Sequence, residues 1–373
     1  MCNLLRLREI AWSLESWCWG KNVVEMSCWL KRGFSNRGMG LTIRRLLSCA
    51  ACAVLVVSAS SVLAESCLTA SDMDAATRTA LSGAGARYFN FVAAGDTASL
   101  RQNSIPSLAA DFSSIEGTVK DNQAALAGAK AAARAPFVLE AEGTGTIARA
   151  EFFCGVFGSR GQTRDSAVFY LNNLAPGKYG VVILDAPTAK GAYTVSVILQ
   201  LMGSDWKLGG LYIKAAQAGG HDSEWFIARA RDFQTKGQLH NAWLYYPMAR
   251  LLVSPLPFMS TAVTDKLYDD SQKLQPADFP AEGNKADLLV GTATYKLTAL
   301  FPQTVGDDLD LIVKYEASDI SNTNQTFQNN VAVMKALVAK FPELRGAFAG
   351  VVARAVDPSG RDYGTLLTMK EIK

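Results

Sequence analysis

Histidine is nearly missing from this chain: His221 and His240 are the two in 373 residues. A Ser-His-Asp relay or a histidine-bearing metal centre must draw on one of them, and neither H-E-x-x-H nor paired C-x-x-C spacing is present. Cysteine is scarce where it matters. Of seven cysteines, five lie before Ala64, which leaves Cys67 and Cys154. An excess of one charge is lacking as well. The first 64 residues carry eight Lys/Arg and three Asp/Glu, so 37 against 34 becomes 29 against 31 once they are set aside. That balance excludes the basic field of a nucleic-acid binder. Long apolar runs are also absent: the longest, Leu46 to Val57, has twelve residues where a spanning helix needs about 20.

What is present at the start is an export signal. Arg44 and Arg45 form a positive n-region, Leu46 to Val57 the apolar h-region, and Val62 and Ala64 the small residues a signal peptidase accepts. Cleavage is expected between Ala64 and Glu65, giving a periplasmic or extracellular protein of 309 residues with no membrane span. Residues 1–38 hold four of the seven tryptophans and three of the seven cysteines. They look foreign to the rest, and translation is expected to begin at Met39, with residues 39–64 as signal peptide. In an oxidising compartment Cys67 and Cys154 are expected to form a disulfide.

Periodicity predicts an α+β protein: N-terminal helices plus a curved antiparallel sheet, a helical hairpin, and a small C-terminal β-β-α-β-β domain. Ser71 with Asp74 reads as a capping box opening a helix that carries Leu81, Ala84, Tyr88 and Val92 to Gly95. Leu108, Phe112, Ile115 and Val119 mark a second helix after Pro106, and the Ala-rich stretch 124–135 is expected to close the helical part. Period-two patterns predict strands near 137–142, 147–156, 166–173, 178–185, 191–202 and 206–214. The expected divisions are 65–215, a helical segment 216–275 with a third helix over 261–274, a linker 276–286 rich in proline and glycine, and a domain 287–373. In the last, Tyr295 to Phe301 and Leu309 to Tyr315 alternate, Phe327 to Phe341 forms a helical stripe stopped by Pro342, and Asp357-Pro358-Ser359-Gly360 turns a hairpin between strands 346–356 and 362–371.

Helices followed by a curved sheet that ends in the strand Asp205 to Ile213 resemble, over 71–214, the nuclear-transport-factor-like cone fold. Ala230, Phe233, Gly237, Ala242, Tyr246 and Ala249, with Pro255 beyond, resemble a single tetratricopeptide repeat, with Arg229 where that family keeps an apolar residue. One such unit cannot bury its own apolar face and is expected to pack on a neighbour.

The cone resemblance implies a pocket mouth lined by Tyr88, Phe91, Phe153, Phe169, Tyr193, Trp206 and Tyr212, the alternative being that these rings are core. Trp225, Phe226 and Tyr245 either present a partner face or seal the hairpin against its neighbour. Gly219-Gly220-His221-Asp222-Ser223 reads as a loop and helix cap. Asp307, Asp308 and Asp310 read as a turn entering a strand, because the glycine and glutamate of a calcium loop do not follow. No cofactor, metal or catalytic residue is expected. The expected function is non-enzymatic binding or scaffolding in the cell envelope, with an envelope protein as partner. The alternatives are a carrier of an apolar small molecule, or a hydrolase or isomerase using Glu140 or Glu151 in the cone.

Overall fold

Asp74 starts the helical part: with an extended backbone it accepts the N–H of Thr77 at 2.7 Å, and α1 runs Ala75–Ala94. The structure is a computed structural model describing residues 65–157, 162–163, 165–281 and 283–373. The predicted leader and upstream extension lie outside the described residues. Ser71 is not the cap; it lies in the preceding turn, its hydroxyl 2.8 Å from that of Thr69. Gly95, at φ 71°, ends α1 by donating to the last carbonyls. The expected second helix is broken. α2 (Thr97–Gln102) and α3 (Pro106–Ala110) precede α4 (Ser113–Leu126), because Asp111 leaves the helical region at φ −125°, ψ 84°. The Ala-rich stretch is not helical to its end: Gly128 turns at φ 75°, and Ala132–Ala133 becomes a short strand.

The strands are β1 (Glu65–Leu68), β2 (Ala132–Ala133), β3 (Phe137–Ala141), β4 (Ile147–Cys154), β5 (Ala167–Leu174), β6 (Gly177–Thr188), β7 (Gly191–Met202) and β8 (Asp205–Ala215). One antiparallel sheet has the order β1-β3-β6-β7-β8, with β2 beside β6. α1 and α4 cover one face of it through Leu81, Tyr88, Val119, Val182 and Val197. The other face packs through Leu139, Val181 and Ile183 on Phe152 and Phe169 of a second sheet, β4-β5-β9, whose last strand β9 is Met259–Ser260. The predicted strands match these within a few residues because the first sheet is buried on alternate sides.

Two glycines set how closely α1 approaches. A Cβ at Gly180 would meet Leu81 Cδ2 at 2.3 Å, and one at Gly85 would meet Val182 Cγ1 at 2.5 Å. Gly180→Ala is therefore expected to cost about 1 to 3 kcal/mol by overpacking. Gly83→Ala, on the same helix with nothing within 4 Å, is expected to raise stability by about 0.4 to 1 kcal/mol. Urea midpoints of the two variants check this; equal midpoints would refute the close approach.

The helical hairpin is α5 (Ser223–Thr235) and α6 (Leu239–Val253), turned at Gly237 with φ 73°. The short strand β9 (Met259–Ser260) and α7 (Ala262–Gln272) follow, the latter capped by Thr261. The C-terminal unit contains one strand more than predicted: β10 (Ala286–Val290), β11 (Ala293–Val305), β12 (Asp308–Glu316), α8 (Thr323–Lys340), β13 (Gly350–Val356) and β14 (Asp362–Thr368). A 3₁₀ turn, Pro342–Gly346, takes the start of the expected strand 346–356. The sheet order is β10-β11-β12-β13-β14, with β12 and β13 parallel across α8. Pro302 is tolerated in β11 because β10 pairs only as far as Leu297, leaving that edge of β11 free.

Hairpin and C-terminal sheet share one core. Phe226, Ala230, Phe233, Ala242 and Tyr245 pack with Leu311, Val313, Val351 and Leu337. The single repeat-like unit thus buries its apolar face on the C-terminal sheet and its helix. Asn330 of α8, fully buried, accepts from Tyr315 Oη (2.7 Å) and donates to Thr365 Oγ1 (2.9 Å) and Tyr363 O (3.1 Å). This network satisfies every polar group it buries and fixes the helix on the sheet.

The β13–β14 hairpin is organised by Asp357. Its carboxylate accepts from Ser359 N and Oγ and from Arg361 N, Nε and Nη2, at 2.6 to 3.1 Å. The Ser359 hydroxyl first, then the Arg361 guanidinium and the two backbone N–H groups, hold the carboxyl down to about 2. A depressed carboxylate contributes stability in full above the ordinary aspartate range and loses it as pH falls toward about 2. Asp357→Asn is expected to flatten the acid limb of the stability curve between about pH 4 and about pH 2. An unchanged limb in a pH series of urea melts would contradict it.

Candidate functional site

The N-terminal end of the described chain is held covalently. Cys67 on β1 and Cys154 on β4 form a disulfide with Cα atoms 5.0 Å apart, closing a sequence separation of 87. Beside it the Glu65 carboxylate accepts the N–H of Glu151 at 2.7 Å. β1 pairs with β3 from its first residue, Glu65 opposite Ala141.

The seven pocket candidates do not converge. Tyr88 and Trp206 belong to the core between α1 and the sheet, with Phe91 and Tyr193 packed against it. Tyr88 Oη donates to the carbonyls of Asn103 (2.8 Å) and Trp206 (3.0 Å), so its polar end is consumed internally. Phe169 lies across the sheet in the second core, edge-on to Phe137. Phe153 is 42% exposed on the outer side of β4, near Phe157. Tyr212 is 37% exposed and faces Phe258. A bulge separates Trp206 from Tyr212: Leu199 pairs with Leu208 and Ile198 with Gly210, so Gly209 is the extra residue. Side chains after it change face, which sends Tyr212 away from Trp206.

The three candidate partner-face residues seal the hairpin instead. Phe226 and Tyr245 are buried, and Tyr245 Oη donates to Ala347 O at 2.5 Å. Burial pushes the Tyr245 phenol up to about 12. Trp225 stacks on His221 with ring centroids 3.7 Å apart. Asp222 caps α5 through the N–H of Trp225, as the loop-and-cap assignment expects.

His240, at the start of α6, is the better connected histidine. Its Nδ1 lies 2.7 Å from Glu343 and its Nε2 3.0 Å from Asp278, while the rings of Phe279 and Phe341 flank it. The imidazole joins the hairpin, the segment after α7 and the 3₁₀ turn. Nothing in the sequence pairs these three residues, which are brought together by the shared core.

The carboxylates proposed for chemistry are bound to neighbouring cations. Glu140 meets Lys178 at 2.7 Å and Ser66 at 3.1 Å, and these contacts, the lysine first, hold its carboxyl below the usual range. Glu151 meets Arg149 at 2.8 Å. Asp307 lies in the β11–β12 turn behind Gly306 (φ 64°), and Asp308 and Asp310 continue into β12, as predicted. Among the described residues no group of three or more His, Cys, Asp or Glu is arranged to hold a metal.

Sequence reasoning missed Lys214 on β8. Its ammonium donates to the carbonyls of Leu251 and Ser254 at the end of α6, the terminus where a cation is favoured. Burial, then the nearby Arg134, brings its amine down to about 8. It ties the first sheet to the hairpin, a role no local pattern signals. Among the described residues no helix is long and apolar enough to cross a membrane. The chain matches no protein-family model, no curated protein and no solved structure.

Proposed function

We propose that the protein is exported and works without catalysis, as a binding or scaffolding protein of the cell envelope. The observation that carries this reading is the Cys67–Cys154 disulfide, a bond that persists in oxidising compartments and begins three residues past the predicted cleavage site. Glu65, the residue cleavage would leave at the N-terminus, anchors β4 through its side chain. The non-catalytic part is supported by the engagement of Glu140 and Glu151 with strand cations and of both histidines with structural neighbours. In this reading residues 71–214 are a distant form of the nuclear-transport-factor-like cone whose interior is filled by side chains. The hairpin is a single tetratricopeptide-like unit, supported by the complete burial of Ala230, Ala242 and Ala249 where its helices meet.

Cell fractionation with N-terminal sequencing, followed by a pull-down from envelope extract, tests both parts. The expected result is an envelope or secreted chain starting at Glu65 that enriches a partner reproducibly. A cytoplasmic chain with an intact leader removes the export claim, and a pull-down no richer than background removes the scaffolding claim.

A further inference from the structure

The C-terminal sheet ends at β14, which pairs on one side only. The N–H of Asp357 donates to Arg361 O and that of Met369 to Ala349 O, which fixes the alternation along the β13–β14 pair. Tyr363, Thr365 and Leu367 therefore turn their backbone groups toward β13, and Asp362, Gly364 and Leu366 turn theirs away. Among the described residues nothing meets the outward N–H and C=O groups of those three. Thr368, next in the series, is already satisfied: its N–H donates to the Glu371 carboxylate at 2.9 Å, and its carbonyl accepts from Glu371 and Ile372.

Free edges invite strand pairing, and the other long edges here are blunted against it. β10 has five residues, the open length of β11 carries Pro302, β4 carries Arg149 and Glu151, and β8 is bulged at Gly209 and carries Lys207 and Lys214. β14 has seven residues in unbroken register, with no proline and no lysine. It is uncharged from Tyr363 to Leu367, while Arg361 and Asp362 are engaged by Asp357 and Arg354. A groove runs beside it. Thr365 Oγ1 accepts from Asn330 of α8, so the half-buried side chains of Tyr363 and Leu367 share that face. Lys340, on one flank of α8, reaches the carbonyl of Asp287 in β10; the opposite flank, toward β14, carries Phe327 and Val331. Phe327 is 39% exposed and belongs to none of the three cores.

We propose that this edge takes an extended, uncharged peptide segment of a partner protein as an added antiparallel strand. The segment's backbone exchanges hydrogen bonds with Asp362, Gly364 and Leu366, and its side chains opposite Tyr363 and Thr365 enter the groove under Phe327 and Val331. Those two alternate positions are therefore apolar, and with no free charge from Tyr363 to Leu367 an acidic or basic segment leaves its own charges unpaired. A second copy of the chain is the poorer occupant. Seven residues of strand and two layers, sheet and helix, present about 24 Å by about 20 Å, or about 480 Å² per copy, short of the about 800 Å² a stable interface uses. A peptide strand draws its affinity from main-chain hydrogen bonds instead. The proposal gives the binding role its surface and rests on that reading, but its test uses purified protein and so fails separately from the fractionation and the pull-down.

Panning a phage-displayed library of random heptapeptides on the purified protein tests it, followed by amide exchange measured by NMR with the tightest synthetic peptide bound. The enriched peptides are expected to carry apolar residues at alternate positions without charges between them, and to bind with Kd of about 1 to 100 µM. They are expected to slow exchange of the Gly364 and Leu366 amides, which is fast in the free protein. Gly364→Pro removes one outward N–H where an added Cβ meets nothing closer than 3.7 Å, and is expected to weaken binding about tenfold or more. Phe327→Ala, on the surface of α8, is expected to weaken it as well, and both variants are expected to stay folded. No enriched peptide, a charged consensus, binding that leaves the two amides unchanged, or undiminished binding by both folded variants overturns the proposal. Protection of the same amides in peptide-free protein as its concentration rises also overturns it, by making a second copy the occupant.

Discussion

Replacing Cys67 and Cys154 together by alanine is expected to lower the unfolding free energy by about 3 to 5 kcal/mol. The closed loop spans 87 positions, and cross-linking a loop of that length removes enough unfolded-chain entropy to stabilise by about 4 to 5 kcal/mol in the chain-entropy model. Alanine limits the side-chain contribution: Cys154 is buried in the second core, while Cys67 is partly buried against it. The loss should therefore report the cross-link. Part of it should also appear as local opening, because β1 is a four-residue edge strand held by β3 and by this bond. Urea melts of the variant, and of the wild type with and without reductant, check the value. Coincident curves for oxidised and fully reduced protein would show that the bond contributes nothing.

Tyr245→Ala is expected to cost about 3 to 5 kcal/mol, and Tyr245→Phe about 1 to 2 kcal/mol. The ring contacts Phe226 at 5.3 Å and Phe233 at 5.0 Å within the hairpin, and Phe348 at 5.8 Å in the C-terminal unit. Removing it opens a cavity at the centre of a core that both parts share. Removing the hydroxyl alone leaves Ala347 O buried without its donor. Because the core is continuous, hairpin and C-terminal sheet should unfold together in both variants. Tryptophan fluorescence reports the hairpin through Trp225 and Trp243 and the first core through Trp206, and far-ultraviolet circular dichroism reports the whole chain. One shared, lowered midpoint is the expected result; a hairpin transition that separates from the rest would contradict the shared core.

Much of this architecture is legible from alternation and capping because those signals are local. The strands Gly191–Met202 and Asp205–Ala215 announce themselves through period two, and α5 through Asp222 and its apolar stripe. What escapes is set by single residues or by tertiary contact. Asp111 breaks a helix whose apolar spacing runs straight through it. The strand Ala286–Val290, which starts at the last residue of the expected linker, is not predicted because five residues carry too little periodicity; only pairing with β11 makes it a strand.

The candidate site failed to assemble for a related reason. Trp206, Leu208 and Tyr212 share a parity in sequence, but Gly209 adds one residue to β8 and reverses the faces beyond it. Tyr88 and Phe169 are both wholly buried yet belong to cores on opposite sides of one sheet. His240, Asp278 and Glu343 are distant in sequence and meet only because hairpin and C-terminal unit share a core. Lys214 is in the same position, an ordinary strand lysine until α6 presents its last carbonyls.

The measurement that bears most directly on the account is the intact mass, under non-reducing conditions, of the protein recovered from its native host. The account predicts a chain running from Glu65 to Lys373 and two hydrogens lighter than its reduced form. A chain that retains the leader, or one whose Cys67 and Cys154 both react with a thiol reagent before reduction, would contradict it.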